Sequence, residues 1–333
     1  MSSAQPQARF GDLVASDLVE VTDDLRAIEA GGRWAVAMGF EGRTVLANFR
    51  SWQRARPAPA DWQPITGGWA SSLTRSAYLS AVARIQQEIG RGWVYQVNLC
   101  RVLSAPCDAG GLEGLYDRLT VMGADFAGLL SLPEQGVHIA SASPERFLSR
   151  NGQRITSSPI KGTAARADGF LPKDRAENIM IVDLVRNDLG RVARVGSVTV
   201  DELLAVQPYP GLFHLVSTVG ALVPAVSWSQ IFNATFPPGS VTGAPKSSAL
   251  QVIAQVEPCP RDWYCGAFGW IDVDAQRAEL AVGIRTFWLD AGRLKFGTGA
   301  GITWGSDPAG EWEETELKAR RLIAIAAADS MAK

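Results

Sequence analysis

The segment Pro159-Ile160-Lys161-Gly162-Thr163 begins fourteen residues after Glu145. The chain has six lysines against twenty-six arginines, so most of its positive charge is guanidinium. An amine differs in that desolvation can strip its proton and leave a nucleophile or base. Glycine beside Lys161 allows a backbone or ligand to approach closely; the plain alternative is a solvated lysine in a loop. Two helical segments each open with an i, i+3 carboxylate pair, Asp174 with Glu177 and Glu311 with Glu314, and each pair projects from one side of its helix. The helix dipole favours acids there and by itself accounts for such pairs. If the four converge, they suit a hard cation such as Mg²⁺, with two carboxylates bound directly and two gripping its waters. Arg285 lies in the apolar run Leu280–Phe287 and calls for a partner, for which a bidentate carboxylate is the best geometric match. The glycine-dense stretches 238–243 and 297–301 offer bare backbone N–H groups to an anion, or serve as turns and bulges. His214, between Phe213 and Leu215, is either a hydrogen-bonded core histidine or part of a site.

Composition narrows the chemistry. The chain has 333 residues, 47% of them hydrophobic, with a net charge of -2 and pI ≈ 5.8. Charges of both signs are interspersed and no basic stripe occurs, which speaks against nucleic acid. No apolar run reaches the ~18 residues of a membrane span, and Met1–Asp12 lacks the apolar centre of a signal peptide. The expected location is the cytoplasm, with no membrane partner. Cys100, Cys107, Cys259 and Cys265 form no CxxC pair, and His138 and His214 are the only histidines. Zinc is therefore disfavoured, as is a Ser–His hydrolase lacking a GxSxG elbow. Neither GxGxxG nor GxxxxGK[ST] is present.

The elements that must position these residues follow from periodicity. Residues 34–38 and 44–49 read as a hairpin about Glu41-Gly42-Arg43, and 54–64 as a linker. Helices are expected over 71–90, 112–122, 172–190, 228–236, 247–256 and from Asp307-Pro308 to about 328. In 172–190, proline near the start and glycine at the end fix the limits, with Ile179, Met180 and Leu184 toward a core. Strands are expected over 93–100, 125–132, 137–142, 145–156 with a turn at Asn151-Gly152, 192–200 and 211–222, and in a meander with strands 264–272, 278–288 and 294–303. Lys161 falls in a loop on this reading.

Seven ordered stretches together resemble one family: YQVNL (95–99), SPERF (143–147), PIKGT (159–163), DRAENIMIVDLVRND (174–188), PGSVTGAPK (238–246), GIRT (283–286) and GAG…EET (299–315). They resemble the chorismate-utilising enzymes, which include anthranilate, isochorismate, salicylate and aminodeoxychorismate synthases. The resemblance covers roughly residues 70–328. It implies an α+β chorismate-utilising enzyme fold of two large packed antiparallel β-sheets flanked by helices, with the site between the sheets. Residues 66–333 would form the chorismate-binding catalytic domain and residues 1–65 a shortened, β-rich N-terminal segment packed on it. The tryptophan-binding segment of some relatives is not found, and Thr303-Trp304-Gly305 replaces the small and acidic residues usual after GAG.

Two positions separate the reactions within the family. Members that make isochorismate or salicylate carry lysine where Gln96 stands, and an amide cannot deprotonate water at neutral pH. Anthranilate synthases typically have alanine at position 161, whereas lysine there marks the aminodeoxychorismate synthase branch, component I. The resemblance then implies amination of chorismate at C4. Glu145 would be the acid, Lys161 the nucleophile at C2, and Glu177 and Glu314 the Mg²⁺ ligands, with Asp174 and Glu311 on its waters. Tyr264, Arg285 and the Gly299-Ala300-Gly301 amides would hold a carboxylate, and Gly162, Thr163, His214, Ser240 and Thr242 would line the pocket. The implied partners are chorismate, ammonia and a glutamine amidotransferase subunit. The implied product is 4-amino-4-deoxychorismate, on the way to 4-aminobenzoate and folate or to a secondary metabolite. The rival readings are anthranilate synthase component I, an isochorismate synthase and a non-catalytic chorismate-binding subunit.

Overall fold

A computed structural model describes residues 5–209 and 212–328; Gly211, the first residue of one expected strand, and the first four residues of the polar N-terminus lie outside them. Apolar runs between turn residues become strands along the whole described chain. Eighteen of them join in one antiparallel network that follows a single winding path. From Gln96–Pro106 it passes through Arg293–Ile302, Thr286–Asp290, Val137–Ser143 and Phe126–Leu132. The hairpin of Gln7–Phe10 and Leu13–Thr22 then carries it across to a second arm. That arm comprises Thr44–Arg54, Arg33–Met38, Ala267–Asp272, Arg277–Val282, Arg146–Asn151, Arg154–Ser158, Leu212–Leu222 and Thr199–Tyr209. The two arms are the two expected sheets, made continuous by the N-terminal hairpin. Strand Arg33–Met38 lies between Thr44–Arg54 and Ala267–Asp272, so the first residues share the sheet's own core.

The larger apolar core is filled from both arms, with Leu99, Leu130 and Ile139 from one and Val36, Leu46 and Leu280 from the other. Phe10 and Phe268 meet across the join with ring centroids 5.4 Å apart. Gly128 makes room for them, since a Cβ there would stand 2.7 Å from the Phe268 ring. Burying such side chains contributes about 1.5–3 kcal/mol each.

Helices cover the arms: α1 (Arg75–Gly90), α2 (Glu113–Leu119), α3 (Pro172–Gly190), α4 (Trp228–Thr235), α5 (Lys246–Val256) and α6 (Pro308–Ala326). Side-chain caps set several starts. Thr74 accepts from the Ala77 N–H and Asp307 from the Gly310 N–H, each worth about 1 kcal/mol. A second core cluster, with Leu115, Phe287, Phe296 and Leu322, seats α2 and α6 on the outside of the first arm.

Four expectations are corrected. Lys161 lies in a strand, Ile160–Ala164, paired with Leu212–Leu222, because that neighbour has a free edge once Arg154–Ser158 ends. On α3, Ile179 is 50% exposed; the buried stripe is Asn178, Ile181, Val182, Val185 and Leu189. The strand expected at 192–200 is instead Thr199–Tyr209, since residues 191–198 form turns between α3 and the sheet. The expected strand 278–288 breaks into Arg277–Val282 and Thr286–Asp290, with Arg285 at φ 52 between them.

Candidate active site

The break at Arg285 is where the chain leaves one arm for the other. Arg277–Val282 belongs to the second arm and Thr286–Asp290 to the first. A second crossing lies directly alongside, at Pro144-Glu145 between Val137–Ser143 and Arg146–Asn151. Hydrogen bonds tie the two crossings. The Val282 N–H donates to the Glu145 carbonyl and the Ala142 N–H to the Arg285 carbonyl, both at 3.0 Å. The Ser143 hydroxyl donates to the Val282 carbonyl at 2.7 Å. Glu145 and Arg285 are thereby held between the arms.

Glu145 is 4% exposed, and its Oε1 has no hydrogen-bond partner among the described residues. Burial pushes its carboxyl above the ordinary range, against the Ser240 hydroxyl and Lys161, which favour the anion. Lys161 is half-buried, and its amine donates to the Ser240 carbonyl at 2.7 Å. Burial pulls that amine below the ordinary lysine range, while Glu177, Glu145 and Glu314 favour its charged form. Gly162, at φ +85, lets the strand lie against α3: a Cβ would stand 2.8 Å from the Asp174 Cβ. Thr163 pairs with His214 in register, and its Oγ1 lies 2.9 Å from His214 Nδ1. His214 is 2% exposed with Nε2 unpartnered. Burial, reinforced by Arg285, lowers it to about 4, so the ring is neutral near pH 7. Arg285 has no carboxylate within salt-bridge distance among the described residues. Burial lowers it, offset by Tyr209 and Glu145.

Lysines meet three of the four acids. Lys173 stands 3.7 Å from Glu177 and 3.2 Å from Glu311, and Lys318 stands 2.6 Å from Glu314. Glu177 Oε1 is buried with no hydrogen bond, and burial raises that carboxyl despite Lys161 and Lys173. Burial would raise Glu314 too, but Lys318, then Lys173 and Lys161, hold it below the usual range. Asp174 accepts from the Leu171 N–H at 2.8 Å and so also caps α3. No group of three or more acid, His or Cys side chains spaced for a metal occurs among the described residues. The donors themselves are all carboxylate oxygens, with Lys173 beside Glu177 and Glu311, Lys318 beside Glu314 and the Leu171 N–H on Asp174. Their chemistry, though not their spacing here, suits a hard divalent cation.

Gly299, Ala300 and Gly301 pair with Cys100, Leu99 and Asn98 on one edge. The pairing with Thr286–Asp290 ends at Phe296, so among the described residues no strand lies against their other edge, and Lys318 donates to the Gly299 carbonyl at 3.1 Å. A Cβ on Gly301 would meet the Gln96 amide at 2.3 Å and Glu177 Oε2 at 3.8 Å, which puts Gln96 at the acids' edge of the site. Two further expected residues have local partners. The Thr242 hydroxyl donates to the Pro238 carbonyl at 2.7 Å and serves its own loop. Tyr264 is 5% exposed beneath Gly297, beside Cys265, Cys100 and Arg261.

Residues 33–324 match the family described as chorismate binding enzyme. The chain belongs to that family. It is 38% identical over 287 residues to aminodeoxychorismate synthase component 1 of Klebsiella aerogenes, covering 82% of this chain and 63% of that one. It is 39% identical over 266 residues to an anthranilate synthase component 1 of Haloarcula marismortui, covering 76% and 54%. The chain thus spans just over half to about two-thirds of these relatives' length. Its fold superposes on anthranilate synthase component I from Streptococcus pneumoniae with a TM-score of 0.82 at 21% identity, over 97% of this chain and 93% of that one.

Three residues beside the candidate site carry no mark in the sequence analysis. Lys173 and Lys318 each sit four residues from an acid of the cluster, and the scarcity of lysine was the available signal. Tyr209, whose ring stands edge-on to His214 at 4.6 Å, carried no signal, since its role depends on strand register.

Proposed function

We propose that this chain aminates chorismate at C4 with ammonia to give 4-amino-4-deoxychorismate. The observation that carries the reading is a lysine amine and a buried carboxyl meeting at Ser240, in a chain akin to aminodeoxychorismate synthase component 1. Glu145, whose protonated form burial favours, donates its proton to the departing C4 hydroxyl, which leaves as water. The Lys161 amine, whose neutral form burial favours, forms a bond to C2 as both ring double bonds shift by one position and the C4–O bond breaks. Ammonia then bonds to C4, both double bonds shift back, the C2–N bond breaks to release the Lys161 amine, and the new C4 ammonium returns a proton to Glu145. Arg285, free of a protein carboxylate, pairs with a substrate carboxylate. His214, neutral and anchored by Thr163, lines the pocket beside it. Glu177 and Glu314, with Asp174 and Glu311 through water, would hold Mg²⁺, which supplies positive charge to the ring carboxylate. A glutamine amidotransferase subunit supplies the ammonia in this reading.

A second reading, anthranilate synthase component I, is favoured by the identity to the Haloarcula marismortui protein. Incubation with chorismate, Mg²⁺ and ammonium, followed by mass spectrometry, separates the two. The expected product is 4-amino-4-deoxychorismate; fluorescent anthranilate as the main product sinks the first reading.

A further inference from the structure

Two motif residues take no part in the chemistry above. Asp188 ends the DRAENIMIVDLVRND stretch and Lys246 ends PGSVTGAPK. In the fold they meet: the Lys246 amine donates to Asp188 Oδ2 at 2.6 Å and to the Thr235 carbonyl at 2.8 Å. Asp188 is 6% exposed. A buried ion pair is weak evidence for stability as such, since desolvation offsets the attraction. Its position is informative. Asp188 lines a cavity of about 20 Å³ whose other polar walls are Ser157, Thr235, Ser240, Glu145 and Arg146, the last paired with Glu279 at 2.7 Å. A water needs roughly 10–15 Å³ and two to four polar partners, and both conditions are met. The cavity lies behind Glu145, which carries a buried oxygen without a hydrogen bond, a situation ordered water commonly resolves.

We propose that this cavity holds one water that donates one hydrogen bond to Asp188 and another to Glu145, so that the Lys246–Asp188 pair fixes which Glu145 oxygen carries the acid hydrogen. Asp188 and Lys246 are then positioning residues, reaching the substrate only through Glu145. With one oxygen occupied as acceptor from behind, the O–H is left to point toward the ring. The remaining charges around these groups are Lys161, Lys318 and Arg285 near Glu145, Arg146 on the cavity wall with Glu279 as its partner, and Arg191 near Asp188 and Lys246. The same two segments therefore build the site twice, α3 with Glu177 in front and Asp188 behind, and the 238–246 loop with Ser240 in front and Lys246 behind.

The inference rests on Glu145 being the acid, so the test reads Glu145 apart from turnover. Infrared difference spectra of the full chain against Glu145→Gln assign the carbonyl stretch of the protonated Glu145 carboxyl. The spectra are repeated in Asp188→Asn, which removes the charged acceptor, and in Ser157→Val, which fills the cavity and leaves the ion pair intact. The Glu145 band is expected to shift in both. With chorismate, Mg²⁺ and ammonium, kcat is expected to fall about ten- to a hundredfold with KM for chorismate within about twofold, as for loss of one charge-assisted hydrogen bond. A band that stays in place in either folded variant, or no such band in the unaltered chain at neutral pH, overturns the proposal. If the chain forms no 4-amino-4-deoxychorismate, the proposed function fails while the spectra still decide on the water.

Discussion

The Lys161 amine and the Ser240 carbonyl oxygen are 2.7 Å apart, and the hydroxyl of the same serine favours the Glu145 anion. One residue of the 238–246 loop thus touches both groups that the proposed chemistry needs. Replacing Lys161 with alanine is expected to leave the fold intact and lower C4 amination by about a thousandfold. Product analysis checks this, and unchanged amination removes the covalent step.

Glu145 gives a stability signature opposite to that of a paired surface acid. Its folded pKa is raised from 4.5, mainly by burial, so the fold binds the proton more tightly than the unfolded chain does. That contribution is fully present below about 4.5 and is lost as pH rises through the folded pKa. Glu145→Gln cannot ionise, so its advantage in melting temperature over the unaltered chain is expected to grow from near pH 4.5 upward, while activity collapses. Melting curves across pH 4–8 measure it.

His214, lowered to about 4, binds its proton less readily folded than unfolded. Its contribution is present above the ordinary value of 6.5 and is lost as pH falls from 6.5 toward 4. Imidazole resonances observed by NMR are expected to titrate near 4, and no activity limb near 6.5 should belong to it.

Lys173 lies between Glu177 and Glu311, where it competes with a cation for the same oxygens. Lys173→Met is expected to lower the Mg²⁺ concentration for half-maximal activity severalfold, and Glu314→Gln to raise it tenfold or more. Mg²⁺ titrations of both variants decide; shifts in the reverse directions count against the proposed ligand set.

Gly162 stands at φ +85 with the Asp174 Cβ 2.8 Å from where its own Cβ would be. Gly162→Ala is expected to cost about 1–2 kcal/mol from the left-handed backbone alone, and more from the clash. Denaturant titration gives the value.

Much of this was legible in one sequence because the signals were local. The limits of α3 followed from Pro172 and Gly190, and the helical acid pairs from i, i+3 spacing. The strand around Lys161 was not legible, because its β character comes from pairing with His214 and Val216, remote in sequence. Ile179 was misplaced because Asn178, a polar residue, takes the buried position and bonds the Leu215 carbonyl at 3.0 Å. Arg285 was marked by its chemistry, but the crossing that explains it could only be seen once both arms were traced.

The strand order has a consequence for how the chain comes off the ribosome. Arg33–Met38 takes Ala267–Asp272 as a neighbour, and Gln96–Pro106 takes Arg293–Ile302. At roughly 5–20 residues per second, the earlier strands wait on the order of ten seconds or more for those partners. Through that interval their open edges invite intermolecular pairing, so the yield of folded protein should depend more on chaperone holding during synthesis than on the stability of the finished fold.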